Sequence, residues 1–371
     1  IADPNRKSAP WVWDLIASVQ SIADAKRIAD CWRYASGQPQ TGGDDFFPGT
    51  AAQQLADYLF AAHLGGRSVS DVFRWCSNER DTSPADILSE YPRYAGIASR
   101  VSSVIALTPE TRSGVFGSLQ TMVAFLADPE IIDWIDPHRD TNGNIDERRG
   151  LFDPYEFATS EDTLYLLSAQ GRPSTALTAS LTAVVAFTAF QRAQSEFTGN
   201  NRRLPVPLCC VLDEAANICR WPELADVYSY FGSAGIPIMT IWQNPDQGRA
   251  AFGETNFGSL FNNANITVYL GGIKDAKFLG EISQLVGQRE IVRGSVNIDG
   301  TGRRSVNNSI QKENILDVSD LTEWPVGRAL LLASQSRAQI VKTLPWTGNR
   351  QWADALTQAK AKAREEQRKA A

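Results

Sequence analysis

Two adjacent acids, Asp213 and Glu214, close an apolar run that begins at Pro205 and includes Pro207, Leu208, Cys209, Cys210, Val211 and Leu212. An apolar run of this length, entered through prolines, reads as a buried strand. The carboxylates then stand at its C-terminal end, where open α/β sheets hold their ligands. Nucleoside triphosphatases use such a pair to hold the Mg²⁺ shell with the first acid and to orient the attacking water with the second. A buried strand can also end in acids for no catalytic reason, so the pair alone leaves both readings open. Gln243 adds a second polar group. It follows the next apolar run, Gly235 to Trp242, and its distance from Glu214 fits one strand–helix–strand unit. Parallel neighbours end on the same edge, so Glu214 and Gln243 would face one site. A glutamine there can bond a γ-phosphate oxygen or the attacking water; its other reading is the first residue of a surface loop through Asn244, Pro245 and Asp246.

The elements that must position these groups can be read around them. Trp11 to Ile16 is apolar and approaches the core, Asp24 to Tyr34 has helical spacing, and residues 36–49 form a loop rich in Gly, Pro and Asp. From Thr50 to Asp128 the spacing predicts only helices, the longest from Pro109 to Leu126. Thr163 to Leu167 is the next strand candidate, and Thr175 to Phe197 a long alanine-rich helix. After the acid-ending strand come a helix from Pro222 to Phe231, the strand ending at Gln243, a helix from Phe257 to Asn263, a strand from Asn265 to Leu270 and a helix from Asp275 to Val286. Residues 288–315 are polar and β-rich, with Asp299-Gly300 as a hairpin turn. Arg328 to Ala333 and Gln339 to Thr343 form a closing pair of strands, and a charged tail follows from Ala359. Strand–helix alternation implies a mostly parallel sheet with helices on both faces.

Composition narrows the classes. The 371 residues suffice for one large or two ordinary domains, and 43% hydrophobic with 21% charged content is that of a globular chain. The net charge of −6 argues against a surface that is attractive to nucleic acid as a whole, so any such contact must be local. No run is uniformly apolar over the length of a membrane span, and the N-terminus shows no signal peptide. The five cysteines, Cys31, Cys76, Cys209, Cys210 and Cys219, form no C-x-x-C pair, and only His63 and His138 exist to assist, so zinc is not expected. Cys209 and Cys210 read as small core residues of the proposed strand, and the pattern fits a reducing compartment.

Beyond single motifs, Val211-Leu212-Asp213-Glu214-Ala215-Ala216-Asn217, Gly235-Ile236-Pro237 and Thr240-Ile241-Trp242-Gln243 resemble the TraG/VirD4-type coupling proteins of bacterial conjugation and type IV secretion. Leu107 to Gly117 is similar to that family's inserted all-helical domain, and Phe46 to Leu59 to the segment leading into it. Asp162 to Ser168 also matches, as does Asp317 to Ala333, the latter as the C-terminal region named for relaxosome-protein (TraM) recognition. The resemblance is nearest to actinobacterial members and covers almost the whole chain. It implies an α/β fold: a RecA-like P-loop NTPase core with a mostly parallel sheet plus an inserted all-helical subdomain. The implied parts are 1–49 (motor domain, incomplete), 50–130 (helical insertion), 131–348 (motor domain with Walker B) and 349–371 (charged tail). The family also implies ATP with Mg²⁺, hexameric rings at the cytoplasmic face of the cell membrane, single-stranded DNA, relaxase or relaxosome proteins and a type IV secretion channel as partners. Carried over by position, Asp213 would hold Mg²⁺ through water, Glu214 would be the catalytic carboxylate and Gln243 the γ-phosphate sensor.

The departures are equally specific. A phosphate loop needs G-x-x-x-x-G-K-[ST], and no Gly-Lys pair occurs in this sequence. Gly65-Gly66-Arg67-Ser68 is a superficial echo within a helical region. The expectation is a chain that begins after the phosphate loop and transmembrane helices, and that does not hydrolyse ATP by itself. The family's trans-acting arginine would fall near Gly232, Ser233 or Ala234, none of them basic; Arg220 and Arg249 lie nearby. Asp140 to Asp146 starts like a calcium loop, but Ile145 stands where glycine is required, and a surface turn is expected. Arg289, Arg293, Arg303, Arg304 and Lys312 cluster in the hairpin, either as a solvated ribbon or as a DNA-facing or subunit-facing loop. Trp221, Trp242 and Trp324 read as core or interface anchors. Beside the motor reading stands another: a non-catalytic module that binds cargo or docks on a full-length ring.

Overall fold

Side-chain caps and proline positions set the helix boundaries before packing does. Ser21 accepts from the Asp24 N–H and opens α1 (Ile22–Ala35). Ser68 and Asp71 form a reciprocal capping box at the start of α3 (Val69–Ser77), after α2 (Phe46–Leu64). Proline occupies the first turn of α4 (Ser83–Ser89), α6 (Pro109–Val123) and α7 (Pro129–Ile135), where its missing N–H costs no helical bond. With α5 (Ala95–Ile105), every described element from Phe46 to Ile135 is helical. These features come from a computed structural model that describes residues 11–37, 46–137, 150–168, 174–298 and 304–370. The expected calcium-like turn at 140–146, the Asp299-Gly300 turn and Arg303 lie outside the described residues. The chain divides into two compact units, Ile1–Asn263 and Ala264–Ala371.

In the first unit, β1 (Trp11–Trp13) pairs in parallel with β2 (Gly150–Phe152), so the apolar start of the chain is a strand. After α8 (Pro154–Phe157) comes α9 (Ser174–Ser195), a helix buried along most of its length. Its length and hydropathy would suffice to cross a bilayer, although serines and threonines interrupt it. The second parallel pair joins β3 (Cys210–Leu212) to β4 (Ile238–Thr240), with Val211 opposite Met239. Short helices α10 (Ala215–Ile218) and α11 (Leu224–Val227) lie between them, and α12 (Pro245–Phe252) and α13 (Glu254–Asn263) follow. Gly235, at φ 86°, makes the turn into β4, a conformation that suits glycine; there Leu204 donates to the Ala234 carbonyl and Leu208 to that of Gly235.

Several expected elements come out shorter or different. The acid-ending run makes ladder contacts only from Cys210 to Leu212, and it is not buried on both faces. Val211 is 56% exposed, Met239 opposite it is 55% exposed, and Cys209 is exposed rather than a core residue. Alternate strand residues face opposite sides, and only the side carrying Leu212 meets the core. Thr163 to Leu167 forms no ladder strand; of these residues Leu166 alone makes a bridge. The helix expected from Pro222 to Phe231 is helical only from Leu224 to Val227, with turns on either side.

The second unit is antiparallel. β5 (Ile266–Tyr269) pairs with β8 (Arg328–Ala333), which pairs with β9 (Gln339–Lys342). Between them lie α14 (Ala276–Val286), the ribbon of β6 (Gln288–Ile298) and β7 (Arg304–Asn314), and α15 (Val318–Thr322) with an Asp317/Asp320 capping box. The ribbon follows an unbroken register from Gln288↔Asn314 to Ile298↔Arg304, in the region the sequence marks as β-rich. The chain closes on α16 (Arg350–Ala370). The sheet content is therefore mixed, with parallel pairs in the first unit and antiparallel ones in the second.

Within the helical run, Asp57 of α2 is fully buried and accepts two hydrogen bonds from the Arg100 guanidinium of α5, at 2.8 and 2.6 Å. Burial pushes the Asp57 carboxyl upward, and Arg100 opposes this. Removing one partner of such a pair strands a buried charge. Arg100→Ala is expected to cost about 3 kcal/mol in urea unfolding, and the Asp57→Leu/Arg100→Leu double variant less than that. A double variant as unstable as the single one would show that the pair's charge is not what matters.

Candidate functional site

The turn after β3 carries the two acids in an unusual backbone. Glu214 sits in the left-handed region, at φ 50° and ψ 46°, a conformation disfavoured for any residue with a Cβ. The turn is held from the neighbouring strand. Ile241 donates its N–H to the Leu212 carbonyl at 3.0 Å, and the Ile241 carbonyl accepts the Ala215 N–H at 3.2 Å. The Glu214 carbonyl then accepts the Asn217 N–H at 2.8 Å and opens α10. Strand, tight turn and helix thus follow within a few residues, and both acidic side chains remain exposed.

The structure brings Glu214 and Gln243 together. Gln243 Nε2 donates to Glu214 Oε1 at 2.7 Å, across the end of the β3–β4 pair. Two further groups complete the arrangement. Asn217 Nδ2 lies 3.4 Å from Glu214 Oε2, and Gln247 Nε2 lies 3.5 Å from Gln243 Oε1, one turn into α12. Neither was singled out from the sequence, although the spacings of three and four residues from the pair are what a helical turn requires. Asn244 caps α12 by accepting the Gln247 N–H, which fixes the direction in which the helix leaves Gln243. Asp213 points elsewhere. It lines a cavity on the side of β3 away from β4, and among the described residues no hydrogen bond or ion pair engages its carboxylate.

Behind the acid turn the packing is aromatic. Trp221 is fully buried and meets Phe187 of α9 at 5.9 Å and Phe231 at 6.2 Å between ring centroids. The Arg27 guanidinium lies 3.5 Å above the Phe187 ring and bonds Asp24 and Glu223, each at 2.9 Å. Trp242 packs edge-on against Phe252 and Phe257, which anchors the residue before Gln243. In the second unit, Trp324 Nε1 donates to the Arg328 carbonyl. Burial pushes the Cys210 and Cys219 thiols up to about 12, so neither is a nucleophile at neutral pH.

The basic candidates behave differently from one another. Arg220 Nε donates to the Ala216 carbonyl at 3.3 Å, and Arg249 pairs with Asp246 at 2.8 Å. Arg203, not singled out from the sequence, places its guanidinium on the carbonyls of Gly232 and Ser233, at 3.0 and 3.3 Å. A basic group therefore reaches the turn where the sequence encodes none. On the ribbon, Arg289 is exposed and Arg293 is paired with Glu313, which offsets its charge. For Arg304 the backbone register is described, opposite Ile298.

Residues 207–326 match the family described as the TraM recognition site of TraD and TraG. The fold is similar to solved structures of a bacterial conjugative coupling protein, TrwBdeltaN70. Its trigonal form in complex with sulphate has a TM-score of 0.62 at 16% identity, over 92% of this chain and 73% of that one. TrwB in complex with ADP and Mg²⁺ gives 0.59 at 14% identity, over 92% and 72%. TrwB with the non-hydrolysable ATP analogue ADPNP gives 0.60 at 14%, over the same shares. No curated protein matches the chain by sequence. The family match and the shared fold support the resemblance to TraG/VirD4-type coupling proteins.

The left-handed backbone yields a test. Glycine adopts φ 50° without a Cβ penalty, whereas alanine incurs about 1 kcal/mol. Glu214→Gly is therefore expected to unfold at higher denaturant than Glu214→Ala, by about 1 kcal/mol. Equal stability of the two would mean that residue 214 does not hold this conformation.

Proposed function

We propose that this chain is the motor portion of a conjugative or type IV secretion coupling ATPase, which recruits relaxase–DNA cargo and drives single-stranded DNA transfer. The observation that carries the reading is the 2.7 Å bond between Gln243 and Glu214 at the end of parallel strands. It joins the two groups that would orient the attacking water and sense the γ-phosphate. The family match over 207–326 supports a relaxosome-related partner, and the TrwB complexes with ADP and Mg²⁺ or ADPNP support nucleotide and Mg²⁺ as ligands.

The residues present fit half of such a site. Asp213 is exposed and unengaged among the described residues, as a carboxylate holding Mg²⁺ through water must be. Mg²⁺ would neutralise charge that develops on the phosphate oxygens. Glu214 would hold the nucleophilic water, and Gln243 would keep the Glu214 carboxylate oriented while the site is empty, then turn its amide to the phosphate. The lysine and backbone cradle for the phosphates are not encoded in these 371 residues, since no Gly-Lys pair occurs. Hexameric assembly, delivery to a secretion channel at the membrane and contact of the ribbon arginines with DNA belong to the same proposal. Among the ribbon arginines whose side chains are described, Arg289 is exposed and has no ion pair, whereas Arg293 is held by Glu313. The second reading is a non-catalytic module for cargo binding or docking.

Hydrolysis separates the two. The 371-residue chain is expected to show no Mg²⁺-dependent ATP hydrolysis above a Glu214→Gln control. In a longer polypeptide that supplies a phosphate loop, Glu214→Gln should abolish turnover and leave nucleotide affinity nearly unchanged, because the phosphate contacts remain. Turnover by the short chain that depends on Glu214 would overturn the half-site reading. A longer form without hydrolysis would leave the module reading standing.

A further inference from the structure

The second unit closes on exposed apolar side chains set among basic ones. The pairing of β8 with β9 runs to Gly327, whose carbonyl accepts the Thr343 N–H at 3.0 Å. Val326 and Leu344 are the next residues outward on the two strands, and both are exposed. A 3₁₀ turn, Trp346–Gly348, then leads into α16. Trp346 is exposed, as are Trp352 and Leu356 of α16. One exposed apolar residue is ordinary, but several at one sheet end and on the helix that follows it mark an interaction surface. Charge accompanies them. Arg328 stands directly opposite Lys342 in the β8–β9 register. Both are exposed, and neither has an ion pair among the described residues. Like charges opposite each other on neighbouring strands destabilise the pair, and an anion laid over both relieves the repulsion. On α16, Trp352, Leu356 and Ala359 follow the four-and-three spacing of one helix face. At about 100° per residue, Lys360 and Lys362 fall on either side of that stripe, and Arg350 and Asp354 fall on the far side. Lysines beside an apolar stripe bury their methylenes and keep the ammonium in a polar layer. Residues 342–371 carry seven Lys or Arg and three acids, in a chain whose net charge is −6.

We propose that the outer end of the β8–β9 pair and α16 form a docking surface for an anionic lipid bilayer, with α16 lying in the plane of the headgroups. The Trp and Leu side chains enter the boundary between headgroups and acyl chains, and Arg328, Lys342, Lys360 and Lys362 meet the lipid phosphates. A nucleic acid would supply phosphates and flat bases, which suit Trp346 and Trp352, but nothing to cover the aliphatic Val326, Leu344 and Leu356. A bilayer accepts both kinds of side chain. The surface lies at and beyond the end of the 207–326 family match and acts without Asp213, Glu214, Gln243 or any nucleotide.

The probe is a vesicle of equal parts phosphatidylglycerol and phosphatidylcholine, mixed with the 371-residue protein without nucleotide and followed by cosedimentation. Saturable binding is expected, at least about tenfold weaker to vesicles of phosphatidylcholine alone. Raising NaCl from about 0.1 to about 0.5 M is expected to weaken it about tenfold, because the phosphate contacts are screened. The Trp352→Gln/Leu356→Gln variant changes two exposed side chains and is expected to bind about tenfold more weakly, with an unchanged urea midpoint. Arg328→Gln/Lys342→Gln is expected to bind about twentyfold more weakly and, having lost a like-charge pair, to unfold at an equal or higher urea concentration. Equal binding to the two vesicles, no saturable binding, or indifference to either double variant would each overturn the proposal. An oligodeoxythymidylate that binds where the anionic vesicles do not would overturn it too, and would assign the surface to nucleic acid. None of these outcomes bears on ATP hydrolysis, so failure here stays distinct from failure of the motor reading.

Discussion

The candidate site depends on one mismatch between neighbouring strands. β3 ends at Leu212, while the backbone of the β4 strand keeps bonding past it, through Ile241 to Leu212 and to Ala215. The chain after Leu212 must therefore turn within the reach of a strand that stays straight. That confinement accounts for the left-handed Glu214, for the helix that opens directly after it, and for the meeting of Glu214 with Gln243. Backbone strain of this kind persists where surrounding bonds over-determine it. Here the two bonds to Ile241 and the bond from Asn217 do so.

That turn is held on one side only. Leu212, Ala215 and Ala216 reach the core with Trp221, Phe231 and α9. The opposite face, with Val211 and Met239, is exposed. Parallel strands are ordinarily covered on both faces. The pair is thus rigid where α9 and the aromatic cluster support it and open elsewhere.

Much of this was legible in the residues. Asp213, Glu214 and Gln243 announced a strand-end site by type and spacing, and the meeting of Glu214 with Gln243 follows from parallel pairing. The helices opening near Pro109, Thr175 and Asp275 were read close to their observed bounds, whereas α2 starts at Phe46, within residues read as a loop, and Thr50 lies inside it rather than capping it. Burial was harder to read. The run from Pro207 to Leu212 is apolar on both faces, and periodicity cannot tell a covered strand from one awaiting cover. Thr163 to Leu167 has strand composition, yet a strand exists only when a partner accepts its backbone. Arg203 could not be placed from the sequence, because its reach to Gly232 and Ser233 is a tertiary contact. The short β2, three residues long, carried no pattern of its own.

The length and apolarity of α9 have one more consequence. A hydropathy scan would assign this helix to a bilayer, and topology counting would then place the residues before it and after it in opposite compartments. Arg27 precedes α9 and Glu223 follows it, yet their side chains bond at 2.9 Å, with Arg27 resting on Phe187 of the same helix. A hydrocarbon core about 30 Å thick cannot separate two groups in contact. One ion pair therefore fixes both flanks of α9 on the same side of any membrane.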